Sequence, residues 1–270
     1  KDLFWFFVSI ICTESFRPFC IFVPMLEKNE IIQSALQNLK IESLNPMQEA
    51  ALDQVTGRKD VILLSPTGSG KTLAYLLPLL LTLKPNDDSV QVLILVPSRE
   101  LALQIDSVFK AMGTSWKTCC CYGGHPIAEE KKSILSNHPA IIIGTPGRIT
   151  DHLSKGNFNP ETIETLIIDE FDKSLEFGFH DEMAEIIHQL PGLKKRMLLS
   201  ATDAAEIPEF TGLNRTVKLD FLSDDSEEQE SRLKLMKVLS PSKDKIDTLY
   251  NLLCTLGSSS SIVFCNHRDA

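Results

Sequence analysis

Several things are scarce in this sequence, and each scarcity narrows what the chain can be. The 270 residues include seven cysteines, yet no two of them stand as a C-x-x-C pair. Zinc ribbons and fingers are built on such pairs, so no zinc site of that kind is expected. Cys12 and Cys20 are isolated, Cys119, Cys120 and Cys121 are consecutive, and Cys254 and Cys265 lie far downstream. The apolar run TCCCY reads as strand core rather than as ligands. An odd count without a disulfide framework points to a reducing compartment, and a cytoplasmic location is expected.

Positive charge is also short. Lys and Arg number 27 against 36 Asp and Glu, for a net charge of −9. The whole-chain basic signature of a nucleic-acid binder is therefore missing, and any such binding has to come from a local groove. No apolar run is long enough to span a bilayer: the stretch from Leu3 to Cys12 is too short, and Glu14 and Arg17 follow it. It is a poor signal sequence too, because Lys1-Asp2 makes a weak n-region and no A-x-A-like cleavage site follows. Residues 1–24 are read as a non-native or poorly ordered extension, or upstream translation, ahead of a patterned sequence beginning at Met25. No membrane role is expected, and the apolar stripe in LAYLLPLLLTL is read as the packing face of a helix.

What is present is a globular composition, 43% hydrophobic and 23% charged, which can bury a core. From Met25 the pattern is regular. An amphipathic helix fits Lys28–Leu39, and Pro46 opens a second at its first turn, running to about Thr56. Strands then fit Val61–Leu64, Val92–Val96, Lys117–Cys121, Ala140–Ile143, Thr165–Ile168 and Arg196–Leu199. Helices fit Lys71–Leu83, Arg99–Met112, Ile127–Leu135, Arg148–Ser154 and Asp181–Leu190. Several strands are continuous apolar runs, as a parallel sheet covered on both faces requires. The alternation gives an α/β domain with a doubly wound parallel sheet, whose functional loops should gather at the carboxyl ends of the strands.

A short strand at Arg215–Leu219 closes this first domain, expected over 25–220. Six acids and no basic residue fall between Asp220 and Glu230, so 221–230 reads as a solvated acidic linker. A strand (Leu233–Leu239), a helix (Lys243–Leu256) and a strand (Ser261–Cys265) then open a second α/β unit over 231–270. That unit is too short to bury a core of its own, and the chain is expected to be part of a longer two-domain protein.

The strongest motif is SPTGSGKT. A strand feeds Ser65, Pro66, Thr67, Gly68, Ser69, Gly70, Lys71 and Thr72, and a helix follows. The glycines let backbone N–H groups turn inward at phosphates, and the helix N-terminus favours negative charge there. Lys71 can reach the β- and γ-phosphates, and the Thr72 hydroxyl can ligate Mg²⁺. The bland alternative, a glycine-rich turn with a chance lysine, does not account for strand, spacing, Gly-Lys-Thr and helix together.

LIIDEFD, from Leu166 to Asp172, acquires meaning beside that loop. An Asp-Glu pair after a strand is by itself an ordinary solvated turn. In a phosphate-loop sheet, a neighbouring strand ends in an acid that helps hold Mg²⁺. Asp169 suits that role, and Glu170 can orient and deprotonate an attacking water.

These residues carry a resemblance to the DEAD-box RNA helicases of superfamily 2, covering about Met25 to Ala270. SPTGSGKT looks like motif I, and PSRELALQI from Pro97 resembles the PTRELA element. Gly123-Gly124 resembles the GG motif, Thr145-Pro146-Gly147-Arg148 the TPGR motif, and DEFD at 169–172 stands where DEAD stands. Ser200-Ala201-Thr202 resembles motif III and IVFCNHRD, from Ile262, motif IV. The resemblance implies a RecA-like nucleotide-binding domain followed by the start of a second, with ATP and Mg²⁺ as cofactors. It implies adenine reading by Gln48, whose side-chain amide can donate and accept at once. The aromatic that stacks on adenine in the family is replaced by Ile41 here, and a further upstream aromatic by Ile31.

The resemblance also implies a single strand or short duplex of RNA as partner, met through its backbone by Pro97, Ser98, Arg99, Gly124, Thr145 and Arg148. Each has an ordinary alternative: Ser98 as a helix N-cap, TPGR as a capped turn, the arginines as surface charges. It implies that Ser200 and Thr202 meet Asp172 and couple hydrolysis to unwinding. Phe171 stands in place of the family's Ala and is expected to pack beneath the site. The arginine finger and the later motifs would come from the second RecA-like domain, so this chain alone is expected to bind nucleotide weakly and hydrolyse it poorly. The alternatives are an RNA clamp or assembly factor that does not unwind, a DNA-directed superfamily 2 helicase, and a nucleotide-binding interaction module. His125, His138, His180 and His188 are scattered and carry no functional reading.

Overall fold

The computed structural model describes residues 30–55, 57, 59–203, 207–222, 236–241, 245–258, 261 and 263. The expected extension 1–24, most of the acidic linker and all of IVFCNHRD but Val263 lie outside these residues. The chain divides into two compact units, Lys1–Asp225 and Ser226–Ala270.

In the first unit, α1 (30–39) and α2 (Pro46–Val55) precede a parallel α/β alternation. It runs β1 (Val61–Leu64), α3 (Lys71–Thr82), β2 (Val92–Leu95), α4 (Arg99–Ala111), β3 (Thr118–Cys121) and α5 (Ile127–Asn137). It continues through β4 (Ile141–Gly144), α6 (Pro146–Ser154), β5 (Thr165–Ile168), α7 (Phe171–Glu176), α8 (His180–His188), β6 (Lys195–Ser200) and β7 (Val217–Asp220). The seven strands form one sheet in the order β3-β4-β2-β5-β6-β1-β7, and every pairing is parallel.

The apolar runs explain the layering. All four residues of β2 and of β4 are buried, so both faces of these central strands are covered. Successive side chains alternate between faces. Ile94, Ile143 and Ile167 pack with residues of α1 to α4, including Leu36, Ala51, Leu76 and Ile105. Leu93, Leu95, Ile142, Leu166 and Ile168 pack on the other side with Ile149, Leu153, Phe171, Met183 and Ile186. Lys195, nearly buried on β6, donates to Gln54 O at 2.8 Å and Gly57 O at 2.7 Å, tying down the end of α2. Burial brings its ammonium down to about 8.

Most expected elements differ from the observed ones only at their ends. The strand expected at Arg215–Leu219 is shifted to Val217–Asp220 because Arg215 has φ 49°, a left-handed backbone that no strand accommodates. The short helix α7 directly after the acidic strand end was not expected.

In the second unit, the helix expected at Lys243–Leu256 is observed as α9 (Ile246–Leu256). Residues 236–239 of the strand expected at Leu233–Leu239 are not in a strand, nor are Ser261 and Val263 of that expected at Ser261–Cys265. Among the described residues, no helix is long and apolar enough to cross a membrane.

Candidate active site

The carboxyl ends of β1 to β6 lie along one edge of the all-parallel sheet, and the phosphate loop, Pro97–Arg99, Gly123-Gly124, Thr145–Arg148, DEFD and Ser200–Thr202 each leave from one of them, while Gln48 comes from α2. β1 delivers the phosphate loop. Ser65 N–H donates to Ser200 O at 3.1 Å, continuing the β1–β6 pairing one residue past the strand. Gly68 (φ 84°) and Gly70 (φ 90°) then turn the chain through left-handed backbone before α3 begins. Gly70 has a second constraint: a Cβ there would stand 2.6 Å from Gln48 Nε2. Thr67 is exposed and Ser69 half-buried, both in the loop.

The Lys71 ammonium is turned into the loop, donating to the carbonyl of Ser65 and, at 3.0 Å, to that of Pro66. Partial burial lowers its pKa, while Asp169, Asp172 and Glu170 oppose that shift. Engaging a phosphate would mean exchanging the two carbonyls for phosphate oxygens.

Asp169 leaves the end of β5 as the sequence suggested, its N–H bonded to Leu95 O at 3.0 Å. It is almost fully buried. Burial raises its carboxyl to about 6, against the hydrogen bonds from Tyr75 and from the Glu170 backbone. Tyr75 donates its hydroxyl to Asp169 Oδ2 at 3.0 Å and lies three residues beyond Thr72 on α3. That bond fastens the helix of the phosphate loop to the acidic strand end. Nothing in the sequence marked Tyr75, because it lies inside an apolar helix stripe.

Glu170 is half-buried, with φ 48° and ψ 52°. A non-glycine residue held left-handed stores on the order of 1–3 kcal/mol and collects at functional sites. The conformation starts α7, whose Ser174 N–H donates to Glu170 O at 2.9 Å. Asp172, in the first turn of α7, accepts the Thr202 hydroxyl at 2.9 Å on Oδ2. Its Oδ1 is buried with no hydrogen-bond partner. Ser200 does not join Asp172 as expected. Its hydroxyl donates to Thr202 O at 2.6 Å and accepts from Thr202 N–H at 3.1 Å. A side chain folded back on its own turn cannot also reach across to α7, so Ser200 braces Thr202 instead.

These groups fit a magnesium-bound nucleotide. Mg²⁺ takes hard oxygen ligands and few of them from protein. The Thr72 hydroxyl and the carboxylates of Asp169 and Asp172 supply oxygens beside a phosphate loop, one of them without a protein partner.

Gln48 is 6% exposed, and each end of its amide makes one hydrogen bond within the protein, leaving a second N–H and a second lone pair. Oε1 accepts from Asn45 N–H at 3.1 Å, Nε2 donates to Gly70 O at 3.3 Å, and Asn45 Oδ1 accepts from Gln48 N–H at 2.9 Å. Asn45 Nδ2 also donates to Ser69 O at 3.0 Å. Gln48 and Asn45 thus brace the phosphate loop as a pair. Asn45 escaped sequence reading, which attended to the glutamine alone.

On the other side of Asp169, β2 ends before Pro97, which is buried, and Ser98 is the N-cap of α4, accepting from Leu101 N–H at 3.2 Å. The Arg99 guanidinium lies 5.0 Å above the Tyr122 ring. Gly124 is exposed with φ 98°. Thr145 is the N-cap of α6, and its N–H donates to Cys121 O at 3.1 Å. Arg148 is mostly buried: Nη2 donates to His125 O at 2.9 Å, and Nη1 is 3.6 Å from Glu130 Oε2. Cys121, Glu130 and His152 also present ligand-type atoms within 4.8 Å of one another, a grouping that no cysteine spacing announces.

The chain has matches among known proteins. A family model described as DEAD/DEAH box helicase matches residues 45–210. The chain belongs to that family. The DEAD/DEAH relatives include the ATP-dependent RNA helicase DbpA of Escherichia coli (strain K12), 35% identical over 238 residues, covering 86% of this chain and 51% of DbpA. Another is the ATP-dependent RNA helicase CshA of Listeria monocytogenes, 34% identical over 176 residues, covering 64% of this chain and 34% of that protein. The chain thus spans about half the length of DbpA.

Among solved structures, a hypothetical ATP-dependent RNA helicase from Sulfolobus tokodaii matches with a TM-score of 0.65 at 29% identity, over 72% of this chain and 57% of that one. The DEAD-box helicase Mss116 bound to single-stranded RNA and UDP-BeF matches with a TM-score of 0.65 at 25% identity, over 71% and 43%. The first unit therefore has the RecA-like fold of DEAD-box proteins.

Proposed function

We propose that this chain carries the ATP-binding RecA-like domain of an ATP-dependent RNA helicase, with the opening of a second such domain behind an acidic linker. The observation carrying this reading is the 3.0 Å bond from Tyr75 to Asp169, which locks the phosphate loop's helix to the acidic strand end. A Mg²⁺ ion held by Thr72 and Asp169 would neutralise charge on the phosphate oxygens when bound. Lys71 would contact the β- and γ-phosphates. Glu170 would orient a water against the γ-phosphate and take its proton. Gln48 would hold the adenine edge.

RNA would cross the strand ends over Ser98, Arg99, Gly124, Thr145 and Arg148. These are hydroxyls, exposed backbone and guanidinium groups, which bind phosphates without reading bases. The complexes of Mss116 with single-stranded RNA and nucleotide analogues support RNA as the partner.

The test is nucleotide and RNA binding by this chain together with turnover by the protein bearing both domains. Lys71→Ala should abolish binding of a fluorescent ATP analogue. Glu170→Gln should keep binding and abolish RNA-stimulated hydrolysis. Turnover that persists in Glu170→Gln would refute the assigned chemistry.

A further inference from the structure

The residues read as the RNA face do not stand independently. They converge on one buried carboxylate, Glu130 of α5, 3% exposed. Its Oε1 accepts the Tyr122 N–H at 2.8 Å and stands 2.9 Å from His125 Nε2. Its Oε2 stands 2.7 Å from His152 Nε2 and 3.6 Å from Arg148 Nη1. His152 is fully buried on α6, and its other ring nitrogen meets Asn157 Nδ2 at 2.9 Å.

Each of these partners leads to a segment of the face. Tyr122 immediately precedes Gly123-Gly124, and its ring lies under the Arg99 guanidinium. His125 follows the same glycines, packs edge-on to Tyr122 at 4.8 Å, and lends its carbonyl to Arg148. Arg148 and His152 sit on α6, the helix that Thr145 caps. A single carboxylate therefore touches the loop after β3 and the helix after β4, and through Tyr122 it reaches the start of α4.

We propose that Glu130 is a positioning residue for nucleic-acid binding, setting the distance between the Gly123-Gly124 loop and the Thr145–Arg148 turn. The proposal rests on the reading of this edge as the RNA face. Glu130 itself touches no RNA. A phosphodiester backbone has a fixed spacing, so contacts on two separate segments add only if those segments are held in register. Gly123 and Gly124 have nothing within 4 Å of where a side chain would begin, so the loop is held through its flanking residues Tyr122 and His125. Glu130 supplies that hold from below through the Tyr122 N–H. The same carboxylate pairs with the Arg148 guanidinium at 3.6 Å, beside the hydrogen bond that Arg148 donates to His125 O.

The experiment measures binding of a fluorescein-labelled oligouridylate and of a fluorescent ATP analogue to this chain, with amide exchange at Tyr122. Glu130→Ala should weaken RNA binding about tenfold, the size expected for loss of a charge-assisted bond, while nucleotide affinity stays within about twofold. Exchange at the Tyr122 amide should accelerate. Glu130→Gln keeps an acceptor for Tyr122 but turns an amide toward Arg148 or His152, so its RNA affinity should fall between the two. If Glu130→Ala does not fold, His152→Leu, which removes one donor and leaves Glu130, should weaken RNA binding in the same selective way.

Arg99→Ala serves as the control for the face itself. RNA binding lost in Arg99→Ala and unchanged in Glu130→Ala would overturn the proposal alone. RNA binding unchanged in both would overturn the reading of the face and the proposal with it. RNA and nucleotide affinity falling together with the melting temperature would show Glu130 to be a general core group, and would also overturn it.

Discussion

Thr202, just past the end of β6, donates its hydroxyl to Asp172 in the first turn of α7 across 2.9 Å. This is the one side-chain bond described between the Ser200–Thr202 segment and the acidic DEFD segment, and Ser200 supports it by holding the Thr202 backbone from both sides. A hydroxyl bonded to a carboxylate is worth roughly 1.5–3 kcal/mol, enough to fix which way α7 starts. Thr202→Val should leave the affinity for an ATP analogue within about twofold and lower RNA-stimulated turnover of the two-domain protein about tenfold. Ser200→Ala should move the same readout in the same direction by less. Steady-state ATPase assays with and without RNA check both, and equal loss of basal and stimulated turnover would contradict the coupling role.

The two left-handed glycines of the phosphate loop should separate in their tolerance of a methyl group. Gly68→Ala meets only backbone strain, since nothing lies within 4 Å of its would-be Cβ. Strain of that kind costs roughly 1–2 kcal/mol. Gly70→Ala adds a clash with Gln48 Nε2 at 2.6 Å, which pushes out the amide that braces the loop. Gly70→Ala should therefore lose more nucleotide affinity than Gly68→Ala, which loses about tenfold, read by titration with a fluorescent ATP analogue.

How far the sequence foretold this molecule can be seen residue by residue. The core strands were plain because Ile141–Ile143 and Leu166–Ile168 are continuous apolar runs, a pattern that only a doubly covered sheet strand or a buried helix produces, and their length excludes the helix. Lys71, Asp169 and Glu170 could be singled out as candidates because the pattern that marks them, a strand followed by a glycine loop or by paired acids, is local along the chain. What stayed hidden depends on long-range contact. Tyr75 and Asp169 are 94 positions apart, and a tyrosine in an apolar helix looks like core. Glu130 and His152 lie 22 apart on different helices, each unremarkable alone. Ser200 was assigned the wrong partner because a serine's reach cannot be read from its place in a motif. Of the strands expected at Leu233–Leu239 and Ser261–Cys265, the described residues 236–239, Ser261 and Val263 are not in a strand.

Asp169 makes stability depend on pH in a direction opposite to that of most acids. Burial raises its folded pKa to about 6, from an ordinary 3.8. Between those values the folded chain keeps a proton that the unfolded chain has released, so protonation favours the fold. This contribution is complete below pH 3.8 and is lost as the pH rises through about 6. Asp169→Asn, neutral throughout, should then be more stable than the parent at pH 8 in metal-free buffer, by on the order of 3 kcal/mol at most. The advantage should shrink toward zero as the pH approaches 4. Thermal melts of both proteins across this range decide it, and a parent protein as stable as Asp169→Asn at pH 8 would remove the burial argument.

Phe171 sits between the two acids that flank it in DEFD, yet it belongs to the core. Its ring is 2% exposed and packs in the cluster of Leu95, Ile168, Met183 and Leu198. It also walls a cavity of about 430 Å³ with Ile62, Leu64, Leu198 and Ile207. Truncating a buried phenylalanine costs about 3–5 kcal/mol, and more when the surroundings cannot collapse into the space. The sheet strands that pack on the ring are fixed by their ladders and cannot collapse into the space it would leave, so a cost within that range applies. Phe171→Ala should therefore lower the melting temperature by about 10 °C or more. Phe171→Leu, which restores most of the apolar volume, should recover most of that loss.

The backbone of Glu170 is set by the left-handed turn before α7 rather than by the ring, so ATP-analogue affinity should stay within about twofold in both variants wherever they remain folded. A Phe171→Ala protein that melts with the parent but loses RNA stimulation would place the ring in the coupling path between Asp172 and Thr202 instead of in the core.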